Sequence, residues 1–166
     1  MRSHRGVITI RSEIGKGSTF RVLFPALTQP APAVGADAGQ ASDWRGQGRV
    51  LLVEDEEHIR WLAKQMLQKI GFEVAMACDG REAVSTFGRD PASFVCVLMD
   101  LTMPHMDGYT AFRELRRIQP DVKVILMSGY SEKDIGERFS GSGLAGFLAK
   151  PYPLTELRGL LRRVVG

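Results

Sequence analysis

The chain has 166 residues, 44% of them hydrophobic and 25% charged, with a net charge of +3. That composition suits a globular protein with room for one domain of ordinary size and some extra. No apolar run approaches the roughly 20 residues a membrane helix needs, and the N-terminal MRSHRGVITIRSE lacks the apolar core of a secretory signal. The charge is uneven: residues 1–27 hold five Lys/Arg and one acid, residues 28–48 one Arg and two acids, and residues 49–166 sixteen of each. A basic tail attached to a neutral body argues against a nucleic-acid-binding face on the body. The two cysteines, Cys78 and Cys96, lie in or beside apolar runs. They read as buried, reduced thiols of a cytoplasmic protein.

Residues 1–27 contain two strand-like runs, Val7–Ile10 and Thr19–Phe24, joined by the glycine-punctuated Ser12–Ser18. This predicts a β-hairpin with a long loop. An isolated hairpin is marginal in water, so the piece needs something to pack on. The run from His4 to Pro25, HRGVITIRSEIGKGSTFRVLFP, resembles the last hairpin of a histidine-kinase ATP-binding domain. In that family the stretch around Gly15, Gly17, Ser18 and Thr19 lies near the nucleotide phosphates. The segments that hold adenine and metal lie upstream of it and are absent here. The resemblance therefore implies a remnant that binds no ATP, and no ATP-dependent kinase activity is expected of the chain.

Residues 28–48 are rich in Ala, Gly and Pro and lack apolar periodicity, which predicts a flexible linker. Its one large apolar side chain, Trp44, either docks on a neighbour or stays exposed.

From Arg49 the chain alternates strand and helix patterns. The strands are Val50–Val53, Glu73–Ala77, Val95–Met99, Val122–Met127 and Ala145–Ala149. Between and after them, helical spacing appears at Ile59, Leu62, Met66, Leu67 and Ile70, at Arg81–Phe87, at Tyr109, Phe112, Leu115 and Ile118, weakly at Glu132–Phe139, and at Leu154, Leu157, Leu160, Leu161 and Val164. Repeated βα units predict an α/β fold with a parallel sheet covered on both faces. The flavodoxin-like, doubly wound, five-stranded order 2-1-3-4-5 is the natural candidate. Residues 49–166 thus form the main domain, preceded by the hairpin and the linker.

Parallel strands deliver their carboxyl ends to one rim. The first strand ends in Glu54 and Asp55, the third in Asp100, the fourth in Ser128 and the fifth in Lys150-Pro151. Clustered carboxylates repel unless a cation neutralises them. Mg²⁺ suits an all-oxygen set with one or two carboxylates. A lysine, a hydroxyl and a carboxylate around such an ion fit a transferring phosphoryl group, the carboxylate attacking and the cations offsetting charge. Flavin binding, the rival for this fold, wants backbone N–H groups around a phosphate at the first loop, where Glu54-Asp55-Glu56-Glu57 would repel it.

These motifs carry a second resemblance. Val53-Glu54-Asp55-Glu56, Met99-Asp100-Leu101-Thr102-Met103-Pro104 with Asp107-Gly108, Ser128-Gly129-Tyr130, and Lys150-Pro151 occur in order and at intervals similar to those of two-component response-regulator receiver domains. The resemblance covers essentially all of residues 49–166. It implies that Asp100 is the phosphoacceptor, that Asp55 binds Mg²⁺ directly and Glu54 through water, and that the backbone carbonyl of Thr102 is another ligand. Ser128 and Lys150 would bind phosphoryl oxygens, Tyr130 would cover the pocket rim, and the Lys150–Pro151 peptide would be cis. Ser128 and Phe147 would form the switch. Phe147, lacking a hydroxyl, would respond to packing alone. Glu54 replaces the aspartate common at the first acidic position, which shifts metal geometry without abolishing binding.

The partners implied are a histidine kinase or a histidine phosphotransfer protein, with a dimer face made by the fourth helix, fifth strand and last helix of the domain. Together the two resemblances suggest the C-terminal part of a hybrid histidine kinase acting in a phosphorelay. A phosphorylation-independent interaction module is the alternative. His58 and His105 read as surface residues, and no output domain is expected after Gly166.

Overall fold

A computed structural model describes residues 7–25, 44–129 and 143–166. Tyr130, the helix expected over Glu132–Phe139 and most of the linker lie outside those residues. The chain divides into two units, Met1–Ser42 and Asp43–Gly166.

In the first unit, β1 (Val7–Glu13) pairs antiparallel with β2 (Gly17–Leu23), Val7 opposite Leu23 and Glu13 opposite Gly17. The long loop expected from sequence is instead the short Ile14-Gly15-Lys16. Gly15 and Gly17 take φ of 79° and 91°, a region costly for side chains, and so let the chain reverse tightly. Alternation places Ile8, Ile10, Phe20 and Val22 on one face and Thr9, Arg11, Thr19 and Arg21 on the other. Every strand residue of this hairpin is exposed.

The second unit runs β3 (Arg49–Val53), α1 (Glu57–Ile70), β4 (Glu73–Ala77), α2 (Gly80–Arg89), β5 (Phe94–Asp100), α3 (Gly108–Ile118), β6 (Val124–Ser128), β7 (Gly146–Ala149) and α4 (Leu154–Val165). Its five strands pair in parallel in the order β4-β3-β5-β6-β7, the doubly wound order expected from sequence. Successive strand residues point to opposite faces. Leu51, Val53, Val97, Met99, Val124 and Leu126 therefore join one core with Ala83 and Phe87 of α2 and Phe112 and Leu115 of α3. Val50, Leu52, Cys96, Leu98, Ile125 and Met127 join the other with Leu67 of α1 and Leu157 and Leu161 of α4. Burial on both faces explains why these strands read as continuous apolar runs.

Side chains start two of the helices. Asp79 accepts from the Glu82 N–H at 2.8 Å to cap α2, and Asp107 accepts from the Thr110 N–H at 2.7 Å to cap α3. In α1 the buried stripe is Ala63, Leu67 and Ile70. Leu62, expected inward, is 57% exposed.

Residues 44–48, assigned to the linker by composition, pack onto this unit. Trp44 meets Phe72 edge-on at 6.0 Å, the Gly46 N–H donates to the Ile70 carbonyl at 3.1 Å, and the Glu73 N–H donates to the Gly48 carbonyl at 3.0 Å. Cys96 is buried as expected, but Cys78 is exposed, because it falls one residue past the end of β4.

Candidate functional site

The chain order reverses direction between β3 and β5: from β3 it steps to β4 on one side, then returns to β5 on the other. Such a reversal opens a crevice at the carboxyl ends of the two strands. Glu54 and Asp55 leave β3 there, and Asp100 ends β5. These three carboxylates each offer an oxygen within 4.8 Å of the others. Glu54 is fully buried and Asp100 is nearly so, while Asp55 is half-buried.

Lys150 reaches the same place from the end of β7. Its Nζ lies 2.6 Å from Glu54 Oε2 and 3.1 Å from Asp100 Oδ2. The peptide after it, Lys150–Pro151, is cis, as the resemblance implies. Burial pushes the Glu54 carboxyl above its ordinary value, although the hydrogen bond and charge of Lys150 pull the other way. Burial alone would lower Lys150, but its hydrogen bonds to Glu54 and Asp100 and their charges hold it above the ordinary lysine value. The two carboxylates thus favour the ammonium form of Lys150.

Ser128 ends β6, is buried, and is tied to the next strand where the Lys150 N–H donates to its carbonyl at 2.7 Å. Thr102 lies exposed in the loop after Asp100. That loop folds back on itself: the Met106 N–H donates to the Pro104 carbonyl at 2.7 Å and the Gly108 N–H to the Leu101 carbonyl at 2.9 Å. A Cβ on Gly108 would stand 2.4 Å from the Asp100 carbonyl oxygen, so only glycine lets α3 begin this close to the acidic residue. Phe147 is half-buried, packed on the core beneath α2 and α3. His58 and His105 are exposed.

Residues 50–162 match the response regulator receiver domain. The chain belongs to that family. This receiver is accordingly a module of two-component phosphorelay signalling. It is 35% identical to the sensor kinase CckA of Brucella abortus over 167 aligned residues, covering 96% of this chain but 18% of that protein. It is 33% identical to the chemotaxis protein CheY of Thermotoga maritima, covering 70% of this chain and 96% of that one. Among solved structures, the receiver domain of a Pseudomonas aeruginosa sensor histidine kinase, with a magnesium ion coordinated in its active-site cleft, superposes with a TM-score of 0.66 at 31% identity. That comparison covers 73% of this chain and 99% of that one. The receiver domain of the hybrid histidine kinase CckA superposes with a TM-score of 0.61 at 29% identity, over 72% of this chain and all of that one.

The receiver's donor set fits a hard divalent cation. All three groups are carboxylates, and Glu54 Oε1 is a buried oxygen with no hydrogen-bond partner among the described residues. A buried acceptor left unpaired is costly, and a cation with its water shell would satisfy it.

Two features of the site escape sequence reading. Arg60, one turn into α1, donates from one guanidinium nitrogen to the backbone carbonyls of Glu54 at 2.5 Å and Asp55 at 3.0 Å. Beside the cleft, an apolar groove of about 350 Å³ runs between the flank of α1 (Ile59, Leu62, Met66) and Lys150-Pro151-Tyr152. The apolar surplus on α1 was its only signal in the sequence.

Proposed function

We propose that this receiver accepts a phosphoryl group on Asp100 from a phosphohistidine of a histidine kinase or histidine phosphotransfer protein. The observation that carries the reading is the meeting of Glu54, Asp55 and Asp100 within 4.8 Å, with Lys150 bonded to two of them. Asp55 would hold Mg²⁺ directly, Glu54 through water, with Asp100 and the Thr102 carbonyl completing the protein ligands. When bound, the ion offsets negative charge on the phosphoryl oxygens.

One Asp100 carboxylate oxygen attacks phosphorus. The bond from phosphorus to the donor imidazole nitrogen breaks, a bond from phosphorus to the Asp100 oxygen forms, and the imidazole leaves to take a proton from solvent. Lys150 then exchanges part of its contact with Asp100 for a phosphoryl oxygen, and the Ser128 hydroxyl donates to another. Water attack on the acyl phosphate returns Asp100 and inorganic phosphate. Tyr130 would cover the rim and so set how long the phosphoryl group survives, while Ser128 and Phe147 move together as the switch. The groove beside Lys150 offers the donor an apolar seat next to the acceptor.

The alignment with a sensor kinase over 96% of the chain supports reading the hairpin as the end of a kinase ATP-binding domain, and the longer protein as a hybrid histidine kinase. No segment of the described chain binds ATP in this reading.

The deciding experiment is incubation with acetyl phosphate and Mg²⁺, read by intact mass, with Asp100→Asn as control. A phosphoryl mass that appears in the wild type and not in the variant supports the reading. A folded wild type that gains no mass moves the function to a phosphorylation-independent interaction module.

A further inference from the structure

The two carbonyls that Arg60 holds belong to the peptide planes on either side of Asp55. Peptide groups are planar, so the chain at Asp55 can change direction only through its own φ and ψ. A donor that binds both planes at once fixes those two angles relative to each other. It therefore fixes where the Asp55 carboxylate points. The guanidinium is suited to this: its donors lie in a rigid plane and its charge strengthens bonds to neutral carbonyls.

Among the described residues, no side-chain cap fastens the start of α1, where Glu56 stands at the N-cap. The Arg60 backbone N–H donates to the Glu56 carbonyl at 2.8 Å as the first bond of the helix, so the clamp is carried by the rigid start of α1. The Arg60 guanidinium bonds to the backbone carbonyls of Glu54 and Asp55, so it acts on the acidic pair through the backbone.

We propose that Arg60 is the positioning residue of the metal site: its guanidinium clamps the peptides flanking Asp55 and so aims Asp55, beside Glu54, at the cation. The inference rests on the Mg²⁺ reading given above. Sign separates it from the simpler idea that Arg60 only neutralises acids. A nearby positive charge repels Mg²⁺, so if charge were its role, losing it would tighten metal binding. If aim is its role, losing the two N–H donors that the planar guanidinium fixes on that one nitrogen weakens binding even when the charge is kept.

The test is calorimetric titration of Mg²⁺ into the whole chain and into its R60K and R60A variants, with the thermal midpoint of each taken in chelator. R60K keeps the charge and most of the stem, and it decides the question if R60A fails to fold. The expected result is Mg²⁺ binding weakened by about tenfold or more in R60K, as is typical when a partner behind a metal ligand is removed. Mg²⁺ affinity in R60K that equals or exceeds wild type overturns the proposal, whatever happens to the melting point. A wild type that binds no Mg²⁺ overturns the metal reading itself and this inference with it.

Discussion

Lys150 and Glu54, separated by 96 positions in the chain, meet at 2.6 Å at the head of the sheet. The contact joins the first strand of the receiver to its last, and the 3.1 Å approach of the same ammonium to Asp100 brings in the central strand. One cation thus stands where a metal and a phosphoryl group would both compete for its partners.

Removing that cation should move two properties in opposite directions. In Lys150→Met the carboxylates lose a positive neighbour that repels a divalent ion, so Mg²⁺ should bind more tightly. The phosphoryl oxygens lose a fixed cation, so phosphorylation by acetyl phosphate at saturating Mg²⁺ should slow by roughly 100-fold. Calorimetry and intact-mass kinetics on the same preparation measure both. Slower transfer with weaker metal binding would instead mean that the site had collapsed.

Gly108 permits the approach of α3 to Asp100. A Cβ there would meet the Asp100 carbonyl oxygen at 2.4 Å and the Leu101 Cα at 2.9 Å. Both are backbone atoms, which cannot swing aside as a side chain can. Gly108→Ala should cost about 1–3 kcal/mol of stability in urea melts. It should also slow phosphorylation at temperatures where the variant is fully folded, because the clash pushes on the acceptor residue itself. A variant with wild-type stability would show that the loop yields freely.

The residues that could be placed from sequence are those whose position follows from strand ends. Asp100 and Lys150 terminate apolar runs, parallel strands share one rim, and their convergence follows from topology alone. Trp44, Leu62 and Arg60 could not be placed this way. Trp44 stands in a stretch with the composition of a linker, and only the tertiary neighbour Phe72 explains its docking. Leu62 follows helical periodicity inward, yet its neighbour Ala63 is the residue buried there and Leu62 is exposed. Arg60 acts on backbone carbonyls, which leave no mark in a sequence. The hairpin strands run longer than expected because the positive φ of Gly15 and of Gly17, the first residue of β2, keeps the loop short.

The two thiols should react very differently. Burial pushes Cys96 up to about 12, so it should stay unmodified until the chain unfolds. Cys78 is exposed, but its hydrogen bond to Glu82 and the charge of that carboxylate raise it above the ordinary thiol value. Its alkylation by iodoacetamide at about pH 8 should therefore be slow for an exposed cysteine. Glu82→Gln should speed it roughly two- to tenfold by raising the thiolate fraction. Seen from Glu82, the contact lowers the carboxyl below 4.5, first through the Cys78 thiol and then through the Cys78 N–H at 2.7 Å. An acid with a lowered folded-state value stabilises the fold above its unfolded value and loses that contribution as pH falls through the folded one. The gap in stability between wild type and Glu82→Gln should accordingly close below the ordinary carboxylate range, as acid melts would show.

The packing of Trp44 sets where the receiver begins. Its ring meets Phe72 at 6.0 Å with an interplanar angle of 63°, an edge-to-face pair of the kind that adds about 0.5–1.5 kcal/mol beyond burial. The Gly46 N–H bond to Ile70 closes the end of α1 behind it. A chain starting at residue 44 should therefore be more stable to urea than one starting at residue 49, by about 1–3 kcal/mol when apolar burial is included. Trp44→Ala in the longer chain should recover most of that difference. Phosphorylation by acetyl phosphate should be equal in all three, because Trp44 packs on the core beneath α1 and α4 and touches none of the groups at the strand ends. Equal stability of the two chain lengths would return residues 44–48 to the linker.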